Sequence, residues 1–142
     1  MSISRTLPTI TAEAALKAVI AAQDAAKARN VPVVAVVVDV AGHLMACLRA
    51  DGAFIASVDI ARDKAWTAAI FGASTDQLAS ALSHSQVLLD GIAARPNVVL
   101  FGGGMPIKQD GAVIGGIGVS GGSEDDDRIC ATAGLTALGL TA

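Results

Sequence analysis

Tyrosine is absent from the chain, tryptophan occurs once and phenylalanine three times. So few rings leave no platform on which nucleic-acid bases could stack. Basic residues are scarce too: ten Lys and Arg stand against thirteen Asp and Glu, for a net charge of -3. That balance offers no basic stripe to a phosphate backbone, and nucleic acid is not an expected partner. Cys47 and Cys130 are the two cysteines and share no motif spacing, so reduced, partly buried thiols are expected. The longest apolar run, "VPVVAVVV", falls far short of the ~20 residues of a spanning helix, and no membrane partner is expected. No basic segment followed by an apolar run opens the chain, which predicts a cytoplasmic setting.

What the chain has in excess is apolar side chain. Hydrophobic residues reach 53% and charged residues only 16%, against about 25% charged in ordinary domains. A length of 142 residues suits a single domain over residues 1–142. A domain this small has much surface to cover, so the apolar surplus predicts faces buried by other subunits. A homo-oligomer is expected.

The periodicity is readable. Thr11 is a candidate N-cap for "AEAALKAVIAAQDAAKA", in which Leu16, Val19, Ile20 and Gln23 follow helical spacing. "PVVAVVVDV" is apolar at odd and even positions alike, as a central strand should be. Gly42 permits a turn into "HLMACLRA", where Leu44, Ala46 and Leu48 alternate with His43, Met45, Cys47 and Arg49. A helix from about Ala53 to Phe71, bent near Ser57-Val58, closes at Gly72, and shorter helices follow. "NVVLFGGGMPIKQDGAVIGGIGVS" reads as three short strands before a last helix from Ser123. This order predicts a five-stranded, mostly antiparallel sheet flanked by helices, an α/β (α+β) sandwich.

Chemistry concentrates in three places. "GVSGGSEDDDR" has the strand, glycine and helix order of an anion cradle, but Glu124, Asp125, Asp126 and Asp127 would repel a phosphate. Ser123 as N-cap, with acids in the first turn, explains the run without a ligand, and no metal is assigned to it. His43, Met45 and Cys47 share a strand face and are residue types that ligate heme iron, or they pack under a helix or a second subunit. Arg49, Asp51 and Lys64 are among the chain's few charges; a cation such as Lys64 on so apolar a helix holds a carboxylate ligand or an acidic neighbour, or else Asp63 and Lys64 are ordinary surface charges of a solvated helix face. The G-x-S-x-G, H-E-x-x-H and dinucleotide-binding glycine patterns are absent.

In combination, "VVDVAGHLMACLRADGAFIASVDIARDKAWTAAIF", "FGGGMPI" and "GAVIGGIGVSGG" resemble the GlcG/HbpS-like heme-binding family. Its domain also forms the carboxy end of PduO-type cobalamin adenosyltransferases, and the likeness runs from about Thr11 to Leu138. The resemblance implies a profilin-like sandwich, symmetric oligomers that are often octamers, and heme or a related tetrapyrrole as ligand, sometimes between subunits. Where secreted heme-sensing relatives carry an acidic E-x-x-E iron site, this chain has Asp59 and Arg62, and an arginine opposes iron. Family-matched residues Arg49, Asp51, Lys64 and Thr67, with Gly103, Gly104, Gly121 and Gly122, are the expected pocket wall, and Glu124 and Asp125 neighbour that corner. On this reading Arg49 and Lys64 pair with ligand carboxylates, and His43 or Met45 ligates iron. The alternative is a catabolic enzyme on a small organic acid, with Lys64, Asp51 or Glu124 as acid/base and Arg49 holding the substrate.

Overall fold

The computed structural model describes residues 1–142. Strand β1 (Val34–Asp39) is buried from Val34 to Val38 and lies inside the sheet, as its unbroken apolar pattern requires. It pairs antiparallel with β2 (Leu44–Arg49) on one side and β4 (Ala112–Ser120) on the other, and β3 (Gly104–Gln109) pairs with β4. The sheet therefore has four strands in the order β2-β1-β4-β3, not five. The missing strand is the segment 97–101. Its backbone bonds to a side chain instead of a ladder: Thr67 Oγ1 donates to the Asn97 carbonyl at 2.9 Å and accepts from the Val99 N–H at 3.1 Å.

Helices cover both faces. Helix α1 (Ala12–Ala28) and helix α5 (Glu124–Ala137) pack on one face, with Ala15, Ala18, Ala22, Cys130, Ala131 and Leu135 meeting Val33, Ala35, Val37, Ile117 and Val119. Burial pushes the Cys130 thiol up to about 11, as expected of an inert core thiol. Leu16 and Ile20, in phase with the helix period, are about half exposed, because alanines form the contact face of α1.

On the other face lies helix α2 (Ala56–Phe71), whose Ala61, Ala65 and Ala69 meet Val34, Val36 and Val38. It runs unbroken from Ala56, and Gly72 ends it in the left-handed conformation. Two glycines of β4 let it approach. A Cβ on Gly116 would run into the Ala65 carbonyl, and one on Gly118 into the Ala61 carbonyl. Gly116 and Gly118 lie two residues apart, so both face α2. The short helices α3 (Thr75–Leu82) and α4 (Gln86–Ala93) start at Ser74 and Ser85 caps, and α4 buries none of its residues.

One irregularity matters for function. The β1–β2 register shifts between Val37 and Val38, so that Val37 pairs with Ala46 and Val38 with Leu44. Met45 is the extra, bulged residue. The bulge breaks the alternation predicted for β2: Met45 and Ala46 both pack toward the α1/α5 side, while Leu44 joins Cys47's side, facing α2. His43, Met45 and Cys47 therefore do not share a face.

Candidate functional site

The acidic start of α5 is fully engaged within the chain. Ser123 accepts from the Asp126 N–H while Asp126 accepts from the Ser123 N–H, a reciprocal capping box. Asp126 also meets Arg29 at 2.8 Å, tying α5 to the end of α1. The capping bond and the Arg29 guanidinium hold its carboxyl below the usual range. Glu124 accepts from the Gly102 N–H at 2.9 Å. Arg128 forms a bidentate pair with Asp76 (2.9 and 2.8 Å) and reaches Asp125 at 2.8 Å. That bonding keeps the Asp76 carboxyl low.

Asp127 turns inward. One of its oxygens accepts from Lys64 Nζ at 2.9 Å and the other from the Gly122 N–H at 3.1 Å. Lys64 Nζ donates a second bond to the Val119 carbonyl at 2.8 Å, and the Phe101 ring lies 5.0 Å away. Only 1% of the Lys64 side chain and 5% of Asp127 reach solvent. Burial pushes the amine down and the carboxyl up, while their mutual hydrogen bond pulls each the other way. Gly103 completes the enclosure: it has φ +120°, and a Cβ there would strike Val119 O, Asp127 Cβ and Lys64 Nζ. Gly104 lies against the Lys64 carbonyl and donates its N–H to Thr75 Oγ1 at 3.1 Å.

The predicted pocket residues thus separate. Lys64, Gly103, Gly104 and Glu124 belong to this cluster, and Asp125 sits at its exposed rim. Thr67 braces segment 97–101. Gly121, at φ +133°, approaches Pro32 O, and Gly122 approaches Val31 and Asp126. The close approach at that corner is to the chain's own backbone and side chains. Beyond it, Val31 and Pro32 wall an open groove of about 630 Å³ that Arg49 and Asp51 also line.

His43 stands at the opposite end of the sheet. Its turn is built by Asp39, whose Oδ1 accepts from the N–H groups of Ala41 and His43, both at 2.9 Å. Asp39 Oδ2 lies 3.5 Å from His43 Nδ1, and the imidazole is 81% exposed. Gly42, at φ +84°, lets the turn rest on Trp66 and Ile70 of α2. Trp66 and Ile70 follow Arg62 at helical spacing, so the three form one stripe. Leu44 and Ile70 are 53% and 44% exposed, which leaves apolar surface beside the imidazole. Arg62 is also felt at Cys47, whose thiol is raised by desolvation and drawn back by the guanidinium.

Sequence reasoning missed Asp127 as the partner of Lys64, Asp39 as the orienting carboxylate, and Trp66 with Arg62 as neighbours of His43. A signal for Asp39 was present: Asp four residues before His across a Gly-containing turn is a side-chain-capped turn pattern. No local pattern could pair positions 64 and 127.

The family model described as "Haem degrading protein HbpS-like" matches residues 10–136. An uncharacterized 15.0 kDa protein from the dhaT-dhaS intergenic region of Citrobacter freundii is 38% identical over 136 residues, 95% of this chain and 96% of that protein. The ORFY protein of Klebsiella pneumoniae has a similar structure, with TM-score 0.92 at 34% identity, covering 100% of this chain and 99% of that one. A PduOC–heme complex has TM-score 0.83 at 31% identity over 91% of this chain and 94% of the other. No helix of the present chain is long and apolar enough to cross a membrane. A match over nearly the whole sequence, with the same sheet and helices, means that the chain belongs to the HbpS-like family.

Proposed function

We propose that this protein binds heme or a related tetrapyrrole, with His43 as the iron ligand, and that it does so as a homo-oligomer in the cytoplasm. The observation that carries the reading is the heme complex of a relative with the same fold, 31% identical over 91% of the chain. The local chemistry around His43 fits such a ligand. Metal-bound histidines commonly have their second ring nitrogen oriented by a carboxylate, and Asp39 stands at that nitrogen. Leu44 and the Trp66–Ile70 stretch supply an apolar floor, and Arg62, one helical turn before Trp66, supplies a cation for a propionate. Bound there, heme would supply an iron centre for redox or small-ligand chemistry.

Met45 is the weaker candidate ligand, because the bulge turns it toward the core. Arg49 lies at the other end of β2, about 16 Å along the strand from Leu44, and is not a partner for the same propionates. Lys64 has Asp127 as its counter-ion and is not a propionate partner either. One wall near His43 leaves most of a porphyrin uncovered, so a second copy is expected to close the site. Phe54, Ile55 and Val87, exposed at 71%, 72% and 85%, give that assembly apolar surface, and an octamer is the expected state.

Hemin titration followed at the Soret band tests the reading. Saturable binding is expected; His43→Ala should lose the ligand-field shift, Met45→Ala should keep it, and Asp39→Asn should weaken affinity about 10–100-fold. Non-saturating uptake, or a His43→Ala protein that titrates like the parent, would sink it. Light scattering in the same samples checks the oligomer.

A further inference from the structure

We propose that the open edge of the sheet at β2 pairs with β2 of a second copy of this chain, antiparallel about a two-fold axis at Leu48, and that the partner thereby supplies the second wall of the His43 site. The two edges of the sheet are unlike. At β3 the edge carries Pro106, which has no N–H to offer, and Lys108 beside a register shift, all features that blunt an edge. At β2 the bulge at Met45 lies near the start, and the run 46–49 beyond it is regular. Cys47, Leu48 and Arg49 are all exposed. The direction of their backbone groups follows from the ladder. Ala50 donates its N–H to the Val33 carbonyl at 3.0 Å, which makes that position a hydrogen-bonded one. Bonded and non-bonded positions alternate along an antiparallel pair. Leu48 opposite Ala35 is then bonded to β1, while Cys47 opposite Val36 and Arg49 opposite Val34 are not. Cys47 and Arg49 therefore aim their N–H and C=O groups off the sheet. No turn or cap takes these groups up, and the side-chain bonds nearby involve the Leu48 carbonyl and the Arg49 guanidinium instead.

A strand is what such an edge accepts, and this one is self-complementary. With the axis at Leu48, Cys47 of one copy exchanges both backbone bonds with the partner's Arg49, and Arg49 does so with the partner's Cys47. Every outward group of the regular run is then used. Leu48 meets the partner's Leu48 at the close, non-bonded position, and its side chain, 44% exposed, becomes covered. Neighbouring registers are poorer. An axis at Arg49 sets two guanidinium groups opposite each other, and an axis at Cys47 needs the bulged Met45 to pair with Arg49. Apolar surface flanks the seam on both faces. On one face Leu16 and Ile20, about half exposed, share the helix stripe of Gln23, which itself bonds the Leu48 carbonyl. On the other, Leu44, Phe54 and Ile55 stand exposed. A second copy brings the same apolar strips from both sides, in keeping with a chain that is 53% hydrophobic and 16% charged. The seam also completes a site. It runs the partner's chain beyond Arg49 alongside the start of β2, so the partner's turn at 50–53 and the partner's Phe54 come to the end where Leu44 and His43 stand. That last step rests on His43 as the iron ligand; the seam itself does not.

Disulfide trapping and light scattering on the whole chain test the seam. In a Cys47→Ser background, Leu48→Cys should form an intermolecular disulfide under mild oxidation, because Cα atoms at that position lie about 4.5 Å apart, within reach of the bond. Lys108→Cys in the same background, on the β3 edge, should not cross-link. Leu48→Lys sets like charges across the axis and should lower the scattering mass by about half, with the far-ultraviolet dichroism unchanged. Cys47→Pro removes an outward N–H and no ladder bond, and should lower the mass to the same value. A Leu48→Cys chain that does not cross-link, or a Leu48→Lys protein of parent mass, overturns the seam. Hemin then separates the two readings. Leu48→Lys should bind it about tenfold more weakly than the parent. Equal affinity overturns the partner's wall. A parent that takes up no hemin while Leu48→Cys still cross-links removes the His43 reading and leaves the seam standing.

Discussion

Two charged regions lie side by side at one end of the sheet and differ in one respect. At the start of α5 every acid has a partner: Asp126 has Arg29, Asp127 has Lys64, Asp125 has Arg128, and Glu124 has the Gly102 N–H. Around the groove, behind the Gly121-Gly122 corner, Asp24, Lys27, Arg49 and Asp51 make no ion pair, and the Arg49 guanidinium donates only to the Ala53 carbonyl. The first region carries the more conspicuous sequence motif and is architecture. It ties α5 to α1, α2, α3 and the glycine loop. The second has no motif at all, and its charges are ordinary for this chain, most of whose charged residues make no ion pair. Partnering, more than charge density, separates structural charges from surface charges here.

The largest expected effect comes from breaking the paired side. Lys64→Met strands the Asp127 carboxylate in the core and should cost about 3–5 kcal/mol in denaturant unfolding. Adding Asp127→Leu should recover much of that loss, since no charge is then left buried. Failure of the second substitution to help would mean that Lys64 acts through packing alone.

Next in size is the seat of α2, which positions Lys64. Gly118→Ala drives a methyl group into the Ala61 carbonyl and should destabilise by about 1–3 kcal/mol, as overpacking does. An unchanged unfolding midpoint would show that α2 can lift off the sheet.

Acid should weaken the paired side selectively. The Asp126 carboxyl is held below its ordinary 3.8 in the folded state, by the capping bond and by Arg29. Its contribution is therefore complete above that value and is lost as pH falls through the lower folded value. Stability measured from pH 5 down to pH 2 should fall less steeply in Asp126→Asn than in the parent. Identical slopes would remove Asp126 from the account.

The smallest effect sharpens the contrast from the other side. Arg49→Gln and Asp51→Asn should each shift stability by no more than about 0.5 kcal/mol, because neither residue takes part in an ion pair. A loss several times larger would mean that the groove charges are structural too.

Much of the frame is legible in local sequence. Thr11 and Ser123 mark helix starts, Gly72 marks a helix end, and the unbroken apolar run of β1 marks the strand buried on both faces. Each of these depends on neighbours within a turn or two, where propensity and hydrogen bonding are decided locally. The fifth strand was misread from "NVVLF", whose apolar pattern is strand-like. A single hydroxyl, thirty residues upstream at Thr67, satisfies that backbone instead. The alternation read across β2 failed for a similar reason: a one-residue bulge at Met45 shifts every earlier side chain to the other face.

Of the site, the residue types were readable but not their company. Sequence alone determined that Lys64 lies on an alanine-rich helix, that Gly103 and Gly121 mark sharp corners, and that the acids after Ser123 cap a helix. Only the tertiary structure decided that Lys64 belongs to Asp127, that Gly121 presses on Pro32, and that Met45 and Cys47 face opposite sides of the sheet. Ion pairing is chosen by proximity after folding, and positions 64 and 127 become neighbours only once α2 and α5 have closed on β4. Caps and turns are settled within a few residues, before any such closure.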